Sequence, residues 1–143
     1  MLKIFKDLPM SSANLGFYKY PCWAEHDGFS YCGNRFLAAR LIKKPEKLSL
    51  VQDWLKKFSI HTDSLPYTLA WLNACEQGVE NVYTFAIQDT DFGQVIRSCS
   101  PLSLMWTAKE RMIFLHQWWN FRDNGIAMDI RFAKMPKDGQ SLL

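Results

Sequence analysis

The spacing of apolar positions changes character near residue 82. Before it, Val51, Trp54, Leu55 and Phe58 recur at intervals of three and four, which places them on one face of a helix. Ser49 stands where an N-cap belongs. A second helix follows, with Ser64 as its cap and Pro66 in its first turn, where a missing N–H costs little. Leu65, Leu69 and Leu72, with Ala70, Trp71, Ala74 and Cys75, give it a packing surface, and Gly78 stops it.

From Val82 on, the alternation becomes twofold. Tyr83, Phe85 and Ile87 share one face, and beyond Pro101 the residues Leu102, Leu104 and Trp106 alternate with Ser103, Met105 and Thr107. Between them, Asp89-Thr90-Asp91-Phe92-Gly93 reads as a loop. Residues 112–121 and 126–134 form the arms of a hairpin turning at Asn124-Gly125. Short connections make such a sheet antiparallel. The predicted fold class is α+β: an antiparallel meander of about five strands, ending in the C-terminal hairpin and packed on one face by two or three short helices. Residues 1–143 form a single domain in this reading, with no repeat or linker to divide them.

Two stretches carry rival assignments, because short apolar runs do not decide their own period. Residues 110–119 also suit a helix. Asn34 can cap a helix through Phe36 and Leu41, but residues 34–43 suit a strand as well. Upstream, Asp27-Gly28 is a hairpin signal, with Phe29 and Tyr31 on its far arm and Pro21 keeping it at an edge.

Trp118 and Trp119 lie side by side in the first arm of the C-terminal hairpin, so on a strand they must face opposite ways. A two-residue turn pairs Phe121 with Met128, Trp119 with Ile130 and Gln117 with Phe132, an apolar face for the core. The other face pairs Asn120 with Asp129, Trp118 with Arg131 and His116 with Ala133, with Phe114 beyond. Rings among a few convergent polar groups resemble a ligand pocket, and Trp with Arg is the composition of an interface hot spot. The plainer alternative is Arg131 stacked on Trp118 while Asp129 and Asn120 solvate the sheet.

Composition narrows the classes. Hydrophobic residues make up 48% of the chain, enough for a core without disulfide staples. Six Trp, five Tyr and ten Phe are more rings than a small core hides easily. The formal charge of +3 is mild, and the lysines at 43, 44, 47, 56 and 57 form no dense run, which argues against nucleic acid as partner. No apolar stretch reaches the ~18–20 residues of a membrane span. Cys22, Cys32, Cys75 and Cys99 lack a pairing pattern, and residues 1–9 lack an export signal, so a cytoplasmic protein with free thiols is expected.

Candidate chemistry is thin. Cys22 or Cys32 with His26, His61 or His116 could make a nucleophile and base, but no local signature supports a pairing, and cysteine is commonly a core residue. Cys22, His26, Cys32 and His61 have the wrong spacing for structural zinc, so no metal and no cofactor are expected. No glycine-rich phosphate loop occurs. If the chain is an enzyme, His116 and Asp129 are its acid/base couple and Asn120 positions the substrate.

The expected function is therefore a small non-enzymatic binding protein, using Trp118, Arg131, Asn120, Asp129, His116 and Phe114 to hold a protein partner. An inhibitor or immunity-type accessory protein from bacterial mobile DNA fits that description. The alternative is a pocket for a small apolar or planar ligand on the same face, with or without hydrolase chemistry, and self-association through it is a third use.

Overall fold

The computed structural model describes residues 28–58, 65–88, 90–123 and 139, and among them there is no β-strand. The order is α1 (Phe29–Lys43), a 3-10 turn at Pro45–Lys47, α2 (Leu48–Phe58), α3 (Leu65–Glu76), α4 (Val79–Ala86), α5 (Asp91–Ser98), a 3-10 turn at Pro101–Met105 and α6 (Ala108–Asp123). The α+β expectation and its antiparallel sheet are therefore replaced by a helical fold. The Asn124-Gly125 turn and the second arm lie outside the described residues, but the first arm is helical. No described helix is long and apolar enough to cross a membrane.

The central element is α1. From Tyr31 to Leu41 every residue except Ala39 is buried, including Asn34, Arg35 and Arg40. Helix α4, helix α5, the 101–105 turn and α6 all pack on it. A helix covered from several sides needs no polar stripe, which is why no amphipathic period marks this segment. The Asp27-Gly28 hairpin is corrected here: Gly28 has helical torsions (φ −61°, ψ −49°) and leads directly into α1. Asn34 does not cap a helix either. It sits one turn inside α1 and donates from Nδ2 to the Ser30 carbonyl at 2.8 Å.

Helix α2 agrees with its apolar spacing, with Val51 and Leu55 buried and Lys56 and Lys57 outside, but Ser49 is not its cap: it lies inside the first turn and its hydroxyl donates to the Glu46 carbonyl at 3.3 Å. Helix α3 ends as expected at Gly78, whose φ of 104° is a left-handed torsion that side-chain-bearing residues rarely adopt. Trp71 of α3 is fully buried, meets Phe85 edge to face at 4.8 Å, and donates from Nε1 to the Ile96 carbonyl of α5 at 2.9 Å.

Residues 82–87, expected as a strand, and 90–93, expected in a loop, instead belong to a tight helical corner. Thr90 caps α5, its hydroxyl accepting the Gly93 N–H at 2.9 Å. A Cβ on Gly93 would lie 2.2 Å from the Gln88 carbonyl oxygen, so the chain passes there only with glycine. Arg97 then reaches back and donates from one Nη to the carbonyls of Gln88 (2.6 Å) and Ala86 (3.2 Å), the acceptors left open at the end of α4. Its guanidinium lies 4.7 Å over the Tyr31 ring of α1.

Candidate functional site

Helix α6 carries most of the residues singled out from the sequence. It starts with a reciprocal cap: the Glu110 N–H donates to the Thr107 hydroxyl at 3.1 Å, and the Glu110 carboxylate accepts the Thr107 N–H at 3.3 Å. The same carboxylate accepts Arg40 Nη2 at 2.7 Å in a buried ion pair. Arg40 also donates to the carbonyls of Met105 (3.0 Å) and Gly139 (3.1 Å). One guanidinium thus joins α1, the 101–105 turn, α6 and residue 139.

Two rows of side chains run along α6. Glu110, Phe114 and Trp118, four residues apart, are all buried. Phe114 lies against Phe29 and Phe36 at 5.6 Å each and against Trp106 at 5.4 Å, so it is a core ring. The other row is Met112, His116 and Trp119, all exposed, with Met112 at 44% and Trp119 at 38%. His116 and Trp119 meet edge to face at 5.2 Å. Asn120 is exposed beside them.

The adjacent tryptophans therefore differ as strand logic requires, but in the opposite sense and for a helical reason. Successive residues on a helix point ~100° apart, not 180°. Trp118 falls in the row of Phe114 and is 2% exposed, while Trp119 falls in the row of His116. Of the expected binding set, the structure brings His116 and Asn120 to one open surface and puts Phe114 and Trp118 inside. Arg131 and Asp129 lie outside the described residues. The His116–Asp129 couple was drawn from strand register, and that register does not exist where residue 116 is helical. Sequence reasoning missed Met112 and the Thr107/Glu110 cap; the Thr-x-x-Glu pattern ahead of an apolar run was the signal for both.

The described cysteines offer little nucleophilic chemistry. Cys32 and Cys75 are buried. Burial, with Glu76 beside it, pushes the Cys75 thiol up to about 11, and burial raises Cys99 as well. Among the described residues no group of three or more His, Cys, Asp or Glu is placed to hold a metal ion; Cys22, His26 and His61 lie outside them.

A groove of about 280 Å³ runs between α3 and α4, lined by Asn73, Gln77, Asn81, Thr84, Gln88 and Phe85. Its polar side chains are partly used by their own helices: Asn81 donates to the Gln77 carbonyl at 2.7 Å, Thr84 to Glu80 at 3.2 Å and Gln88 to Phe85 at 3.1 Å. The lining is neutral throughout, so it offers neither a counter-charge for an anion nor a carboxylate for a cation.

Compared with known proteins, the chain matches no family model, and no curated protein or solved structure is similar to it at a level that shows kinship.

Proposed function

We propose that the protein is a small binding protein whose working surface is the outer row of α6, docking on a protein partner. The observation that carries this reading is the double use of α6: its inner row already fills the core, yet Met112 and Trp119 on the other side keep 44% and 38% of their surface exposed. Methionine and tryptophan are enriched at the centres of protein interfaces, and Met112 and Trp119 stand at i and i+7, two of the positions through which a helix fills a partner's groove. The edge-to-face contact with His116 holds the indole in place before binding, which lowers the ordering cost on association. An inhibitor or immunity-type accessory protein uses a surface in this way, covering its partner without turning over a substrate. The α3–α4 groove is the lesser candidate, because it carries no charge and lies just under the ~300 Å³ where ligand pockets begin.

The test is the double variant Met112→Ser/Trp119→Ser. A docking face predicts unchanged helix content and a melting temperature close to that of the parent, since neither side chain fills the core. Unfolding, or a large loss of stability, would show that the row packs inside the protein and would overturn the reading.

A further inference from the structure

We infer that residue 139 acts as a lock on the first turn of α6, transmitted through the Arg40 guanidinium. The seat it takes on α1 admits only glycine. Gly139 has a φ of 67°, in the left-handed region, and a Cβ there would lie 2.5 Å from the backbone nitrogen of Arg40 and 2.6 Å from its Cβ. The Gly139 carbonyl accepts Arg40 Nε at 3.1 Å, so the close backbone approach and the hydrogen bond fall on the same residue. A side chain at 139 must therefore lift that carbonyl off Nε.

Arg40 passes the contact on because its fork is planar and rigid, with donors that cannot be re-aimed singly. While Nε is held at residue 139, Nη1 points at the Met105 carbonyl (3.0 Å) and Nη2 at the Glu110 carboxylate (2.7 Å), with Cζ 4.9 Å over the Phe36 ring. Glu110 then divides its two oxygens: Oε2 takes Arg40, and Oε1 takes the Thr107 N–H at 3.3 Å. The carboxylate is thereby aimed at the cap. The N–H groups of Glu110 and Arg111 rest in turn on the Thr107 hydroxyl (3.1 Å) and carbonyl (2.9 Å). When the Gly139 carbonyl leaves, the guanidinium turns to hydrate Nε, and the bond from Nη2 to the carboxylate loosens with it. The turn that opens is the one leading into Met112. Such coupling is reciprocal, so a loosened cap also unseats residue 139. None of it depends on what the outer row of α6 binds.

Amide hydrogen exchange on the full chain, read residue by residue, tests the lock. Gly139→Ala should speed exchange at the Glu110 and Arg111 amides at least about fivefold, while the amides of buried Ala74 and Cys75 in α3 change less than about twofold. In a Glu110→Gln background a neutral amide holds Arg40 more weakly, so adding Gly139→Ala should speed Arg111 by less than about twofold further. Unchanged exchange at Glu110 and Arg111 in Gly139→Ala would overturn the inference. A rise that Ala74 and Cys75 share equally would also overturn it, since that marks a general loss of stability rather than a local release. So would a full effect of Gly139→Ala in the Glu110→Gln background, because the Arg40–Glu110 pair would then not be what carries it.

Discussion

Helices α1 and α6 lack a clean amphipathic period for opposite reasons. In α1 the polar stripe is missing because neighbours cover nearly every side, and Asn34, Arg35 and Arg40 are buried along with the apolar residues. In α6 it is missing because apolar residues occupy two rows, one inside and one in solvent. A flat pattern thus has two physical sources, complete burial or a second, unused contact surface. Only the neighbours distinguish them. For α1 they explain every face, while for α6 they explain one.

Substitutions can sharpen that contrast. Phe114→Ala should cost about 3–5 kcal/mol in urea unfolding, because it empties the space among Phe29, Phe36 and Trp106. Glu110→Ala should cost about 3 kcal/mol, since it leaves the Arg40 guanidinium buried without its carboxylate and removes half of the α6 cap. Replacing both Arg40 and Glu110 by Met and Leu should recover much of that loss, which a double-mutant cycle would show.

A thiol in the core should report the same burial through pH. The Cys75 value is raised in the folded state, from 9.0 to about 11, so its contribution is fully present below pH 9 and is lost as pH rises through about 11. The loss amounts to roughly 2 kcal/mol, and Cys75→Ala should flatten that part of the stability profile relative to the parent. The smallest effect belongs to the outer row: Met112→Ala and Trp119→Ala should each stay within about 0.5 kcal/mol of the parent at concentrations where the chain is monomeric. An outer-row cost as large as that of Phe114 would erase the contrast.

Helices α2 and α3 were legible because each had one buried side and clear punctuation: Val51 and Leu55 at helical spacing, Pro66 near the start, Gly78 at the stop; within α3, however, Trp71, Ala74 and Cys75 are buried while Leu69, expected to pack, is 52% exposed. The α4–α5 corner was not. Tyr83, Phe85 and Ile87 alternate like a strand, but the fully buried positions of α4 are Val82 and Ala86, four apart, and an alanine draws no attention in a hydrophobic pattern. The better signals were polar ones. Thr90 three residues before Gly93, and Thr107 three before Glu110, are caps that name helix starts independently of period. In α6 a twofold register puts Trp118 on the face of His116 and Asn120, whereas helical spacing puts it in the buried row of Glu110 and Phe114. That inverted the assignment of the two tryptophans. The exposed pair of His116 and Asn120 was visible in the sequence, but its setting on a helix beside Met112 was not.

The corner between α4 and α5 bears on how kinship to this chain would be noticed. Thr90, Gly93 and Arg97 are each tied to backbone atoms: a hydroxyl on an N–H, an absent Cβ beside a carbonyl, a guanidinium on two carbonyls, the last lying over the Tyr31 ring as well. Core residues can drift together, each change compensated by its neighbour, whereas a backbone atom offers no substitution to compensate with. Descent should therefore preserve the spacing Thr-x-x-Gly-x-x-x-Arg after the surrounding apolar residues have been exchanged, and that spacing is the signature by which a distant homologue of this chain can be sought.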